Sequence, residues 1–263
     1  MTPRRAERAL VLVKAFPQPS QKYEETVCCA GLGPEGDFVR LYPVRFRQLR
    51  PEQRFDRWDV IEYQAERPRQ DHRPESRHVS EDSIRIAQRA GELSDEERVR
   101  LWAPHVSGSL EALKASNVAT GRSLGIVRPE PGSVRFHARA TDDASDADRR
   151  MQDAYRQVSL MGEQPLPALK VKFEFSYSFT SAGRKHRMKI HDWEVQAAFL
   201  AYERRYGDQA LAVLTEEYEQ HIPARHLHLV MGTMQAHPRQ FIVIGLLRSG
   251  IDPELVLRQA PLL

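Results

Sequence analysis

The sequence predicts an α+β fold, with a barrel-like, β-rich N-terminal part followed by an α+β C-terminal part. Three observations predict it. The first third is a series of short apolar runs, "RALVLVKAF", "ETVCCAGLG", "FVRLYP" and "RWDVIEYQAE", joined by turns that contain Gly or Pro. The stretch "KVKFEFSYSF" alternates with a period of two: Val171, Phe173, Phe175, Tyr177 and Phe179 fall on one face, and Lys172, Glu174, Ser176 and Ser178 on the other. The last third then combines helical periodicity with two runs that are apolar on both faces.

Composition limits the class. The chain has 263 residues, 41% hydrophobic and 29% charged, enough apolar material for a sizeable core. Its apolar runs fall well short of the roughly 20 residues that span a bilayer, so no membrane partner is expected. The N-terminal run is interrupted by Lys14 and is too short for a signal-peptide core. The two cysteines, Cys28 and Cys29, are adjacent, and adjacent thiols do not form an ordinary structural disulfide. Alternation along a strand sends at most one of them to the core. These features predict a cytoplasmic protein. A formal net charge of +3 permits a polyanionic partner without demanding one.

The elements follow in chain order. After the first four strands, "ERPRQDHRPESRHVSED" at 66–82 has no apolar period and is expected to be a loop or extended arm. "SDEERVRLW" opens a helix with Ser94 and Glu97 in capping-box spacing. "SGSLEALKAS" is a second short helix, and "GRSLGIVRPEPGSVRFHARA" is two strands around a Pro-Gly turn. Met151, Ala154, Tyr155 and Val158 predict an amphipathic helix. The acidic run before it suggests a division into residues 1–141 and 142–263. After the aromatic strand, "TSAGR" turns the chain into the returning strand "KHRMKI". "DWEVQAAFLAYERRYG" is a helix with Val195, Ala198, Phe199 and Tyr202 inward and Gly207 as its stop. "DQALAVLTEEYEQHI" is another. "RHLHLVMGTM" and "RQFIVIGLLR" are expected to be central strands.

Two regions carry candidate chemistry. In "DFVRLYPVRFRQLR", Arg40, Arg45 and Arg47 interleave with Tyr42 and Phe46, the mixture of cations and flat rings that oligonucleotide-binding barrels present. Arg73 in the following polar segment adds a phosphate-reaching side chain, and Lys185, Arg187 and Lys189 alternate along the returning strand as a positive wall. These residues are expected to contact DNA or RNA. The second region is rich in imidazole: six of the ten histidines lie in the last third. His226 and His228, two apart on a strand, together with Asp192, form a candidate site for Mg, Mn or Zn. Asp192 and Glu194, with Lys172, are the candidate catalytic set for phosphodiester hydrolysis. The pattern K-x-E in "KFE" reverses the E-x-K order of restriction-type cores, and H-E-x-x-H, G-x-S-x-G and Walker-type loops are absent. Asp192 also suits a helix cap. The sequence therefore predicts a nucleic-acid-binding protein, with metal-dependent, nuclease-like hydrolysis as an added expectation. A metal-dependent hydrolase of a small phosphorylated substrate and a non-catalytic protein-interaction module are the alternatives.

Overall fold

A computed structural model describes residues 4–20, 24–141 and 171–259. The expected amphipathic helix around Met151 lies outside these residues, as does Lys170. The fold is α+β, with three sheets among the described residues.

The first sheet is built from β1 (Arg5–Lys14), β2 (Gln18–Ser20), β3 (Glu24–Leu32), β4 (Phe38–Val44), β5 (Val60–Glu66) and β6 (Ser76–Gln88). Strand β1 pairs with both β3 and β5, β3 with β4, β4 with β6, and β6 with β5, so five strands close into a ring-like sheet. The β4–β6 contact is parallel and every other pairing in the ring is antiparallel. This is a Greek-key order of the kind found in five-stranded oligonucleotide-binding folds. Inward residues fill the ring, among them Val11, Cys29, Leu41, Phe55, Ile61, Tyr63 and Ile84. Cys28 sits on the opposite side and is only partly buried, as alternation requires.

The ring is followed by α1 (Asp95–Trp102), whose Ser94 and Glu97 form the expected reciprocal capping box. Then come β7 (Val106–Ser107), α2 (Leu110–Thr120), β8 (Leu124–Val127) and β9 (Arg135–Ala140). Ser109 caps α2, and Gly121 ends it in the left-handed conformation. The remaining elements are β10 (Phe173–Ser181), β11 (Arg184–Lys189), α3 (Trp193–Tyr206), α4 (Ala210–Glu216), β12 (His228–Met234), β13 (His237–Leu247) and α5 (Pro253–Gln259). Among the described residues, no helix is long and apolar enough to cross a membrane.

The second sheet has the order β13-β12-β8-β7 and the third the order β11-β10-β9. The second sheet is a middle layer. Its Leu124, Ile126, Val230 and Ile244 pack toward the ring with Leu10, Leu12 and Phe38, and with Val99 and Trp102 of α1. Val127, Leu229, Met231, Val243 and Leu246 pack the other way, against the third sheet and α2, α3 and α4. Burial on both faces explains why these strands read as continuous apolar runs. At Gly245 β13 presses on β1: a Cβ there would lie 1.9 Å from a methyl of Val13.

Two expectations need correction. The segment 76–82 is not a loop; it is the first half of the 13-residue strand β6. Its polar side chains concealed the pattern because Ser76, Val79 and Ile84 are its only buried positions, and register shifts in the β5 ladder break the alternation. Strand β12 is central, but β13 is an edge strand by pairing. Layers above and below bury it from Phe241 on, which hydropathy does not distinguish from a central place in the ladder. The expected division at 142 falls between β9 and β10, which pair in one sheet.

A candidate polyanion-binding sheet face

The third sheet has one buried and one open face. Phe175, Tyr177 and Phe179 of β10 face the core and are each at most 2% exposed. Phe136 of β9 stacks on Phe175 with centroids 5.3 Å apart, and the Tyr177 hydroxyl donates to the Tyr218 carbonyl at 2.8 Å. The β10–β11 hairpin turns through Ala182 and Gly183, both at positive φ (48° and 73°), a primed two-residue turn that sets the register.

That register decides the open face. Lys185, Arg187 and Lys189 of β11 stand opposite Thr180, Ser178 and Ser176 of β10. From the other side, Arg135, His137 and Arg139 of β9 stand opposite Ser178, Ser176 and Glu174. A column of hydroxyls is therefore flanked by two rows of cationic or imidazole groups. The five Arg and Lys side chains are exposed and the hydroxyl residues are half-buried between them. His137 Nε2 lies 2.8 Å from Ser178 Oγ. Glu174 is the one acid that these three strands place on this face, and it is held at one end by both Lys189 and Arg139. The Lys189 hydrogen bond, reinforced by Arg139, keeps the Glu174 carboxyl below the ordinary carboxylate range. Arg135 has Glu219 at 3.8 Å from beyond the sheet edge.

The expected nucleic-acid residues of the ring are placed differently. Arg40 is 3% exposed, and its guanidinium donates to the carbonyl and Oγ of Ser123, each at 3.1 Å, with Cys28 Sγ at 3.3 Å. Ser123 in turn donates to Glu75, so Arg40 belongs to a buried polar network between the ring and the middle sheet. Arg45 is paired with Glu81 at 2.7 Å, and Arg47 is half-buried. Tyr42 is exposed, but Phe46 packs edge-on against Phe55 with Lys14 over its ring. Arg73 is clamped by Asp71 at 2.6 Å and donates to the Thr233 carbonyl of the middle sheet. Arg40 and Arg73 are thus covered by the rest of the chain, whereas Tyr42 stays exposed.

The metal and catalytic sets do not assemble either. His226 lies outside β12 at a positive φ of 46°, and its carbonyl accepts from Nδ1 of His228 at 2.8 Å. The His228 ring packs edge-on against Trp102 at 4.7 Å, and burial pushes its pKa down to about 4. The His226 imidazole faces Asp252 at 4.0 Å. Asp192 is 1% exposed and caps α3, accepting from the Glu194 N–H at 2.9 Å. Its other oxygen lies 3.8 Å from Arg57, which also meets Glu194 at 3.1 Å and donates to the Leu246 carbonyl at 2.7 Å. Lys172 pairs with Glu203 of α3 instead. His226, His228 and Asp192 thus have separate partners. Among the described residues, no group of three His, Cys, Asp or Glu side chains is arranged to hold a metal ion. The donor set does not fit Mg, Mn or Zn.

The fold and this face define an α+β protein that exposes a cation-lined sheet. Residues 5–104 match the model of a domain of unknown function, DUF8758, and residues 106–261 match that of another, DUF8757. The chain belongs to the DUF8757 family. The two matches meet just after α1, where the chain leaves the ring for the middle sheet. No curated protein matches it.

Proposed function

We propose that this protein binds nucleic acid through the open face of the β9–β10–β11 sheet. The observation that carries the reading is the register-enforced grouping of Arg135, Arg139, Lys185, Arg187 and Lys189 around a hydroxyl column, with Glu174 as the one opposing charge on these strands. Arginine and lysine neutralise phosphates and release counterions, and serine and threonine hydroxyls are common partners of phosphate oxygens. The ring does not carry the reading in this chain: the β3–β4 side that five-stranded oligonucleotide-binding Greek keys use faces the middle sheet here. The proposal includes binding without hydrolysis, because Asp192 is occupied in capping and His228 in packing. A cytoplasmic location goes with this reading and is supported by two unpaired, adjacent thiols.

The test is a salt titration of binding to DNA and RNA oligonucleotides, with wild type and the Arg135→Ala/Lys185→Ala/Arg187→Ala variant. All three side chains are exposed, so the fold should survive the change. Each lost phosphate contact should flatten the log K against log[salt] slope by about 0.7 to 0.9. The triple variant should lose about two units of slope and most of its affinity. Equal affinity and slope for both proteins would remove the proposal.

A further inference from the structure

One hydrogen bond on the open face has a direction that a ligand can select. His137 and Ser176 are register partners, yet His137 Nε2 meets the diagonal neighbour, Ser178 Oγ, at 2.8 Å. Ser178 stands directly opposite Arg135 on one side and Arg187 on the other. Directly opposed residues have Cβ atoms about 4.5–5.5 Å apart, so both guanidinium groups can reach over this hydroxyl. Arg187 is exposed and has no partner among the described residues. Arg135 is exposed too, and its Nη1 donates to the Gly132 and Val134 carbonyls. Two guanidinium forks around one hydroxyl favour a group with full negative charge.

The Ser178 hydroxyl has one hydrogen to give. In the imidazole tautomer protonated at Nδ1, Nε2 accepts that hydrogen, and Ser178 turns only lone pairs toward an approaching anion. In a ring protonated at Nε2, the imidazole donates to Oγ, and the Ser178 hydrogen is left to point outward. A phosphodiester oxygen accepts hydrogen bonds and donates none. It is complementary to the second arrangement and not to the first.

Resting on the nucleic-acid reading above, we infer that one backbone phosphate is anchored at Ser178 between Arg135 and Arg187, and that His137 is the positioning residue that turns the Ser178 hydroxyl toward it. His137 has no need to touch the phosphate. Its part is to occupy a lone pair of Oγ, which leaves the hydrogen for the ligand. Phosphate binding and protonation at Nε2 are then linked, because the ligand favours the ring form that is complementary to it.

The experiment measures oligonucleotide affinity over a series of salt concentrations for wild type, Ser178→Ala, His137→Leu, His137→Gln and the Ser178→Ala/His137→Leu double variant. In parallel, long-range ¹H–¹⁵N NMR reads which nitrogen of His137 carries the proton in wild type saturated with the oligonucleotide or with an abasic strand of the same length. Ser178→Ala should weaken binding about tenfold, the scale of one hydrogen bond to a charged acceptor. Its salt slope should not change, because no cation is lost. His137→Leu should match it. His137→Gln, whose amide donates from nearly the same place as Nε2, should stay within about threefold of wild type. The double variant should be no weaker than Ser178→Ala alone, since both changes remove the same interaction. In both complexes His137 should carry its proton at Nε2. Five results would each overturn the inference: a Ser178→Ala variant as tight as wild type, two losses that multiply in the double variant, a glutamine variant as weak as the leucine one, a complex with His137 protonated at Nδ1 only, or Nε2 protonation with the base-bearing strand alone. Nucleic-acid binding itself would stand in all five. Absence of salt-dependent binding by wild type would instead remove the underlying reading.

Discussion

Asp192 joins the ring to the rest of the molecule, and two opposing effects act on its carboxyl. Burial favours the neutral acid; the Arg57 guanidinium 3.8 Å away favours the carboxylate. Burial is the larger, Glu194 adds to it, and the pKa is pushed up to about 7. In the unfolded chain an aspartate titrates near 3.9. Between these values the folded protein keeps a proton that the unfolded chain has released. Stability from this group is therefore lost as pH rises from about 4 to about 7, and is level above that. Asp192→Asn removes the titration and keeps an equally good helix cap. Arg57 retains Glu194 at 3.1 Å and the Leu246 carbonyl at 2.7 Å, so the variant does not leave a bare buried cation. Near pH 4 the two proteins should agree to within about 0.5 kcal/mol, the scale of a conserved cap. By pH 7.5 the variant should have gained on wild type by an amount on the order of 4 kcal/mol, about 1.4 kcal/mol per pH unit of a window that Arg57 has already narrowed. Urea denaturation of both proteins from pH 4 to 8 measures the difference directly, and other titrating groups cancel in it. A difference that does not change with pH would refute the argument. One of opposite slope would show that Arg57 outweighs burial and that the pair is a true ion pair.

Other expectations follow from the same geometry. Phe175→Ala, at a fully buried ring in contact with Phe136 and Phe199, should cost about 3–5 kcal/mol in chemical denaturation; a variant with an unchanged midpoint would mean that the ring is not core. Ala182→Asn should stabilise the protein by about 0.5–1 kcal/mol, because asparagine tolerates the positive φ that the β10–β11 turn requires and alanine does not; a lower thermal midpoint would contradict the assigned turn. His191 and His228 are held neutral by burial, each with its pKa pushed down to about 4. Since the unfolded chain protonates near 6.5 and the folded one does not, their stability contribution is present above that pH and is lost as pH falls from about 6.5 to 4. His228→Phe should flatten that loss, whatever its effect at neutral pH; an unchanged slope would show that His228 is accessible to protons in the fold.

Local signals were sufficient for the pieces. The period of two in residues 171–179 established both the strand and its buried face, because alternation is a property of the strand alone. Ser94 with Glu97, Asp192 and Gly207 marked helix ends, since capping involves only neighbours in sequence. The apolar runs after residue 226 announced burial on two faces, and the exposed alternation of Lys185, Arg187 and Lys189 was legible on the same grounds.

Which face meets water, and which residues meet one another, was decided by pairings between distant segments. Arg40 and Lys185 carry the same kind of charge on the same kind of strand. Arg40 is buried because a loop 83 residues away brings Ser123 over it, and Lys185 is exposed because nothing of the described chain covers that side of β11. His226 and His228 sit two apart in sequence, yet the chain enters β12 only at His228, so their spacing does not become convergence. Arg135 and Arg139, absent from the sequence-based set, became part of the candidate face only when β9 took its place beside β10 across a gap of more than thirty residues. Composition and period determined the elements and their buried sides; the register of non-local strands, which no local pattern encodes, decided where the charges of this protein gather.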